Sequence, residues 1–163
     1  MDDDTDISIR VATPSDLDAV MALAIAGAEE NSFLPARTHL ILNEVWPAVN
    51  LQRGLCGIIG PPSGRVEGIV ILRIGTMYYS EQLCVEEKIV NVGKEYRSAK
   101  GGRARKLCEF SKKVADTLNL PLLIGVCSSE RTKAKVRMYE RIFGEPSGAY
   151  FLYKTKTGGH AVT

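Results

Sequence analysis

Residues 89–107 read IVNVGKEYRSAKGGRARKL, and this stretch decides the fold. Its first four residues, Ile89, Val90, Asn91 and Val92, form an apolar run of strand type. From Ala104 onward, Ala104, Leu107, Cys108, Ser111, Val114, Ala115 and Leu118 place small or apolar side chains at helical spacing. Between the two lies the turn Arg97-Ser98-Ala99-Lys100-Gly101-Gly102-Arg103-Ala104. A glycine-bearing turn that opens a helix presents unpaired backbone N–H groups at the positive end of the helix dipole. That arrangement binds phosphate oxygens without requiring any particular side chain. Arg97, Lys100 and Arg103 bring positive charge to the same spot, so the turn is expected to hold a pyrophosphate. Taken alone, the turn leaves a solvated basic helix start open as the other reading.

Working outward, residues 7–11 alternate apolar and polar positions, as a short strand does. Thr13-Pro14-Ser15-Asp16 reads as an N-cap with proline at the first helical position. Leu17, Val20, Met21, Ala24, Ile25 and Ala28 then make one apolar helical face. A second helix is expected over 37–46, stopping near Pro47. Residues 55–60 and 66–74 read as a hairpin around the turn Pro61-Pro62-Ser63-Gly64. Strand 82–92 follows, then the basic turn, a helix over 102–118, a buried strand over 122–127, a helix over 132–142 and a last strand over 150–154. The expected order is β-α-α-β-β-β-α-β-α-β, in one domain over residues 1–163 with loose tails at about 1–5 and 157–163.

Composition sets the class. The chain has 163 residues, 45% hydrophobic and 25% charged, with a net charge of +2. Those values suit one soluble globular domain with a proper core. The charge is too mild to argue for nucleic acid, although basic residues cluster over 94–113 and 131–141. Cys56, Cys84, Cys108 and Cys127 are widely spaced in apolar contexts and read as buried free thiols. With only His39 and His160, no metal site is expected. No stretch reaches the ~20 apolar residues of a membrane span, and the acidic start Met1-Asp2-Asp3-Asp4 is unlike a signal peptide. The expected compartment is a reducing cytoplasm.

The element order, the strand-turn-helix IVNVGKEYRSAKGGRARKL and the late segment KAKVRMYERIFGEP together resemble the GNAT superfamily of acetyl-CoA-dependent N-acetyltransferases. Arg97 and Gly102 line up with that family's Arg/Gln-x-x-Gly-x-Gly/Ala loop, and Met138, Tyr139 and Glu140 with its late helix. Residues 128–144 followed by GAYFLY look most like the members encoded by phages and prophages. One position departs: Lys100 stands where the family usually has the first loop glycine, and Gly101 is expected to take over the turn.

The resemblance implies an α/β (α+β) fold, a mixed and largely antiparallel sheet with a splayed parallel strand pair. It implies acetyl-CoA as acetyl donor, with N–H groups around Ser98, Ala99, Lys100, Gly101, Gly102, Arg103 and Ala104 on the pyrophosphate. Arg97 or Arg103 would fork onto phosphate oxygens. Backbone groups of Asn91 and Val92 would bond the pantetheine arm and orient the acetyl carbonyl. Tyr139 resembles the family tyrosine that donates a proton to the departing thiolate, against the plainer reading of a packed amphipathic ring. Counting back from Arg97 without gaps puts Glu86 where some members carry a general base; a surface glutamate is the other reading. Of the neighbours Glu86 and Glu87, only one can point into a cleft.

The function implied is direct transfer of an acetyl group to a primary amine, the acceptor being a small molecule or a protein. A non-catalytic acyl-CoA-binding or protein-interaction module on the same fold is the alternative. Nucleic-acid and membrane partners are not expected, and the oligomeric state, a homodimer included, is left open.

Overall fold

A computed structural model describes residues 6–97 and 101–154 of the chain. Among these residues a five-stranded sheet runs in the order β1 (Ser8–Val11), β2 (Gly54–Gly60), β3 (Gly68–Thr76), β4 (Leu83–Val92) and β5 (Leu122–Leu123). The first four strands are antiparallel to their neighbours, and β5 pairs parallel with β4. Four helices flank the sheet: α1 (Leu17–Asn31), α2 (Thr38–Val49), α3 (Arg103–Leu118) and α4 (Thr132–Phe143).

Alternation along β3 explains the two layers. Ile69 and Ile71 pack with Val20, Ala24, Val45 and Val49 of α1 and α2, while Val70 and Leu72 pack with Leu107 and Ala115 of α3. A strand covered on both faces must be apolar at every position, which is why β3 reads as the unbroken run Gly68-Ile69-Val70-Ile71-Leu72. Asp16 joins the layers at the amino end. Its carboxylate accepts the Thr13 N–H at 2.8 Å and a two-pronged bond from Arg10 on β1, both at 2.8 Å. The Arg10 bonds hold the Asp16 carboxyl down at about 2.

Three sequence expectations change. Helix α2 does not stop at Pro47 but runs through it to Val49. Proline in the last turn removes a single backbone donor, and burial of Val45, Ala48 and Val49 on either side of it outweighs that loss. The strand expected over 122–127 pairs for two residues only. The last strand, expected over 150–154, does not form. Tyr150, Phe151 and Tyr153 are 85%, 95% and 83% exposed, and β5, the strand at that end of the sheet, is only two residues long, which leaves little edge for a further strand to pair with. Of the four free thiols, Cys56 and Cys108 are buried as expected, whereas Cys84 is half-buried and Cys127 exposed.

Two irregularities in β4 position the site. Opposite the β3 pair Ile71 and Leu72 stand Ile89 and Glu87, so Lys88 is an extra residue, a β-bulge. On the other edge, β4 and β5 pair only at Val85–Leu122 and Glu86–Leu123. Past that point the chain leaves the sheet and crosses to the end of α1, where Ser129 donates both its N–H and its hydroxyl to the Asn31 carbonyl at 2.8 and 3.1 Å. A parallel pair that separates in this way opens a cleft at its carboxyl end.

Candidate active site

That cleft is a cavity of about 220 Å³. The sheet contributes Val90, Asn91 and Val92, the start of α3 contributes Arg103 and Ala104, and α4 contributes Ala134, Lys135, Met138 and Tyr139. Tyr96, Arg97, Glu30, Asn31 and Arg131 complete the rim. Residues 89–107 and the late helix, far apart in sequence, thus meet around one space.

The start of α3 is shaped by its two glycines. Gly101 has φ +124° and Gly102 has φ +55° with ψ 51°, so both glycines take left-handed conformations that L side chains rarely adopt. Gly102 is the N-cap and makes no side-chain cap bond, and the first turn carries no acidic residue. Among the described residues, no N-cap side chain or first-turn carboxylate covers the first-turn amides, as one usually does at a helix start. The positive-φ duty expected of Gly101 is met there; Ser98, Ala99 and Lys100 lie outside the described residues.

The two arginines expected to grip phosphates are engaged inward instead. Arg103 has a side chain only 1% exposed, and its Nε donates to Glu67 Oε2 at 2.6 Å; Glu67 itself is 0% exposed. Arg65 reaches the other oxygen of the same carboxylate at 2.6 Å. Burial alone would raise the Glu67 carboxyl, but the hydrogen bonds from Arg65 and Arg103 bring it below its ordinary value. The Arg65 and Arg103 guanidiniums also lie 5.4 and 5.3 Å from the centre of the Tyr96 ring, a double cation–π contact. Arg97 donates to both oxygens of Glu30 at 2.5 and 2.7 Å and from Nε to the Val92 carbonyl at 2.9 Å. These bonds tie Arg97 and the first residue of α3 to the body of the protein. Both guanidiniums are engaged by protein carboxylates, so neither stands as the expected fork onto phosphates.

Asn91 and Val92 line the cavity as expected, with a difference in detail. The Asn91 side chain turns away from it, its Nδ2 donating to the Leu23 carbonyl at 2.8 Å. Gly27 permits that approach, since a Cβ there would lie 2.9 Å from Asn91 Cγ. The Val92 carbonyl, expected to await a ligand, is taken by Arg97.

Tyr139 lines the cavity from α4, and its hydroxyl donates toward Glu87 Oε1 and Oε2 at 3.4 and 3.3 Å. Burial foremost, with the nearby Glu87 and Cys108, raises the phenol well above its usual range, so it stays protonated. Glu86 does not join this group. It stands opposite Arg73 on β3 and accepts from Lys88 Nζ at 3.3 Å, with 42% of its side chain exposed. The bulge at Lys88 shifts the alternation, so Val85 and Glu87 share a face with Val90 and Val92. An ungapped count cannot register that shift.

No cation among the described residues compensates the charge of Glu87, and burial pushes its carboxyl up to about 8, with the Tyr139 bond opposing. The folded state then holds this proton more tightly than the unfolded chain. The associated stability is fully present below the unfolded value of about 4.5 and is lost as pH rises through about 8. We expect the melting temperature to fall between pH 5 and pH 8 in the native chain and to stay flatter in Glu87→Gln, a difference of a few kcal/mol. Parallel melting curves in thermal scans across that range would contradict it.

Lys135 is a further cation in the cavity wall. Its Nζ donates to Ser128 Oγ at 2.9 Å and Asn31 Oδ1 at 3.2 Å, and burial, followed by the charge of Arg97, lowers its pKa. Lys135 is not among the residues expected from sequence, although a lysine on the tyrosine's own helix face, four residues earlier, is the available signal; Glu87 enters there only as the neighbour of Glu86.

Solved structures share this architecture. A possible acetyltransferase from Clostridium difficile 630 superposes with a TM-score of 0.69 at 18% identity, over 91% of this chain and 97% of that one. The fold is the GNAT fold. A ribosomal-protein-alanine N-acetyltransferase from Brucella melitensis biovar Abortus 2308 gives 0.67 at 12% identity, over 92% and 99%. The aminoglycoside acetyltransferase AAC(6')-Iy, in complex with the bisubstrate analog CoA-S-monomethyl-acetylneamine, gives 0.69 at 12%, over 93% and 99%. No protein-family model matches the sequence, and no curated protein matches it. At these identities the likeness is one of GNAT architecture. Among the described residues no helix is long and apolar enough to cross a membrane.

Proposed function

We propose that this chain is an N-acetyltransferase that moves an acetyl group from acetyl-CoA to a primary amine. The observation that carries the reading is the cavity shared by the splayed end of β4, the glycine-opened start of α3 and Tyr139 of α4. An anion-binding helix start at one end and a protonated phenol at the other are what a diphosphate-bearing thioester needs. The fit also rests on charge: Arg97, Arg103, Arg131 and Lys135 line the space against one carboxylate, Glu30. Binding of coenzyme A by structures of the same fold supports the cofactor, and the amine acceptors named for them support the acceptor class.

In this reading the amides of Gly101, Gly102, Arg103 and Ala104 hold the pyrophosphate, with Ser98, Ala99 and Lys100 proposed beside them. Backbone groups of Val90, Asn91 and Val92 orient the reacting arm, and Lys135 adds charge. Acetyl-CoA supplies an activated acyl group and a sulfur leaving group. The protein's share is to bring the amine and carbonyl together in one dry cleft and to place the Tyr139 proton near the sulfur. Glu86, on the opposite face of β4 and open to solvent, is proposed as a base only for an amine arriving from that side.

A thiol has a pKa near 8.5 and departs readily at neutral pH, so protonation by Tyr139 assists rather than enables. Tyr139→Phe should accordingly lower kcat by roughly tenfold, below the usual general-acid range, and leave acetyl-CoA affinity within about twofold. Thiol release in the presence of an amine panel, followed with a disulfide dye, measures the first; titration calorimetry measures the second. Unchanged kcat would leave Tyr139 a packing residue. Firm cofactor binding without thiol release on any amine would favour the non-catalytic module.

A further inference from the structure

We infer that Glu87 is a positioning and proton-holding residue for Tyr139: a neutral carboxyl behind the phenol that replaces the proton Tyr139 gives away. The inference rests on the transferase reading and extends it to a residue outside the cavity wall. Both Glu87 oxygens lie within 3.4 Å of the Tyr139 hydroxyl, and the bulge at Lys88 is what turns Glu87 toward it. From α4 the Glu87 carboxyl meets Tyr139; from α3 it meets the Cys108 thiol, itself pushed up to about 12 by burial. On β3 its cross-strand partner is the apolar Leu72. Glu109 on α3 acts on Cys108 from further out. No cation among the described residues offsets Glu87, so at neutral pH it keeps its proton.

The proton count closes. As the C–N bond forms and the C–S bond breaks, the electron pair of the C–S bond stays on sulfur and takes the Tyr139 proton. The phenolate so formed can no longer donate, so the contact reverses: the Glu87 carboxyl turns its O–H toward the phenolate oxygen and gives it the proton. The acceptor nitrogen sheds one proton to solvent on becoming an amide, and Glu87 regains one from solvent before the next turnover. A buried phenol without such a donor would sit as a phenolate in an apolar site, which its environment strongly disfavours.

Two readouts test the assignment. Glu87→Gln keeps the shape and a hydrogen bond to Tyr139 but cannot pass a proton. In the native protein, infrared difference spectra between pH 6 and pH 10 should show the carbonyl band of one protonated acid at neutral pH. That band should vanish in Glu87→Gln and shift in Tyr139→Phe. In turnover, the native kcat should decline above about pH 8. Glu87→Gln should lose that decline and run about threefold to tenfold slower below pH 7, with KM for acetyl-CoA unchanged. Absence of the band, or pH profiles of the two proteins that coincide, would overturn the assignment. Failure of the transferase reading looks different: the acid band is present and lost in Glu87→Gln, yet no amine releases coenzyme A.

Discussion

Gly102→Glu should reduce acetyl-CoA affinity by at least about 100-fold. Three effects add at this one position. The residue is the N-cap of α3 with φ +55°, a conformation that costs a side-chain-bearing residue about 1 kcal/mol or more. A Cβ there would lie 3.4 Å from Arg105 Nε, so the new carboxylate starts beside the helix mouth. It would also take the first-turn amides as a capping acceptor and so occupy the anion site from within. A cap of that kind favours the helix, which offsets part of the backbone strain, so the melting temperature should move by only a few degrees. Calorimetric titration with acetyl-CoA, run beside a thermal scan, separates the two. Retained affinity in a folded variant would remove the anion from the start of α3.

The second large effect is on stability. Glu67→Ala should cost about 3–5 kcal/mol, because it leaves the Arg103 guanidinium, 1% exposed, without its carboxylate in the protein interior. For a chain of this size that corresponds to a fall in melting temperature of roughly 6–20 °C. The loss should be partly recovered when Arg103 is replaced as well. A Glu67→Met, Arg103→Met pair removes both charges and fills the space, and double-mutant analysis should show strong coupling. Single and double variants with additive costs would mean that the pair contributes little. The same substitutions bear on function, since Arg103 is the first residue of α3 and ties the helix start to the loop before β3 and to Tyr96. Loss of Glu67 should therefore weaken cofactor binding even where the protein stays folded.

Much of this arrangement was readable in the chain because its causes are local. Gly101 and Gly102 stand between a strand pattern and a helix pattern, and left-handed backbone at that junction follows from their lack of a side chain. The apolar spacing of α3 and α4 is likewise a property of neighbouring residues. The unread parts depend on contacts between distant positions. Glu67 and Arg103 are 36 residues apart, Glu30 and Arg97 are 67 apart, and Glu87 and Tyr139 are 52 apart. Nothing in an isolated glutamate announces which arginine it will meet.

Glu86 and Glu87 illustrate a subtler limit. Alternation implied that the two point to opposite faces of β4. One extra residue at Lys88 decides which of them shares the face of Val90 and Val92, and a bulge leaves little trace in composition. Pro47 failed as a stop signal because packing on α2 outweighs one missing hydrogen bond. The aromatic run 150–153 failed as a strand because strand pattern without a partner edge is insufficient.

The central claim is that backbone amides at the start of α3 bind the diphosphate of acetyl-CoA within the cleft between β4 and α4. Amide ¹H–¹⁵N correlation spectra recorded while coenzyme A is added test it residue by residue. Saturable shifts are expected, largest at Gly101 to Arg105 and at Val90 to Val92, with weaker effects at Lys135 and Tyr139. Shifts confined to surfaces away from these residues, or none at millimolar coenzyme A, would contradict it.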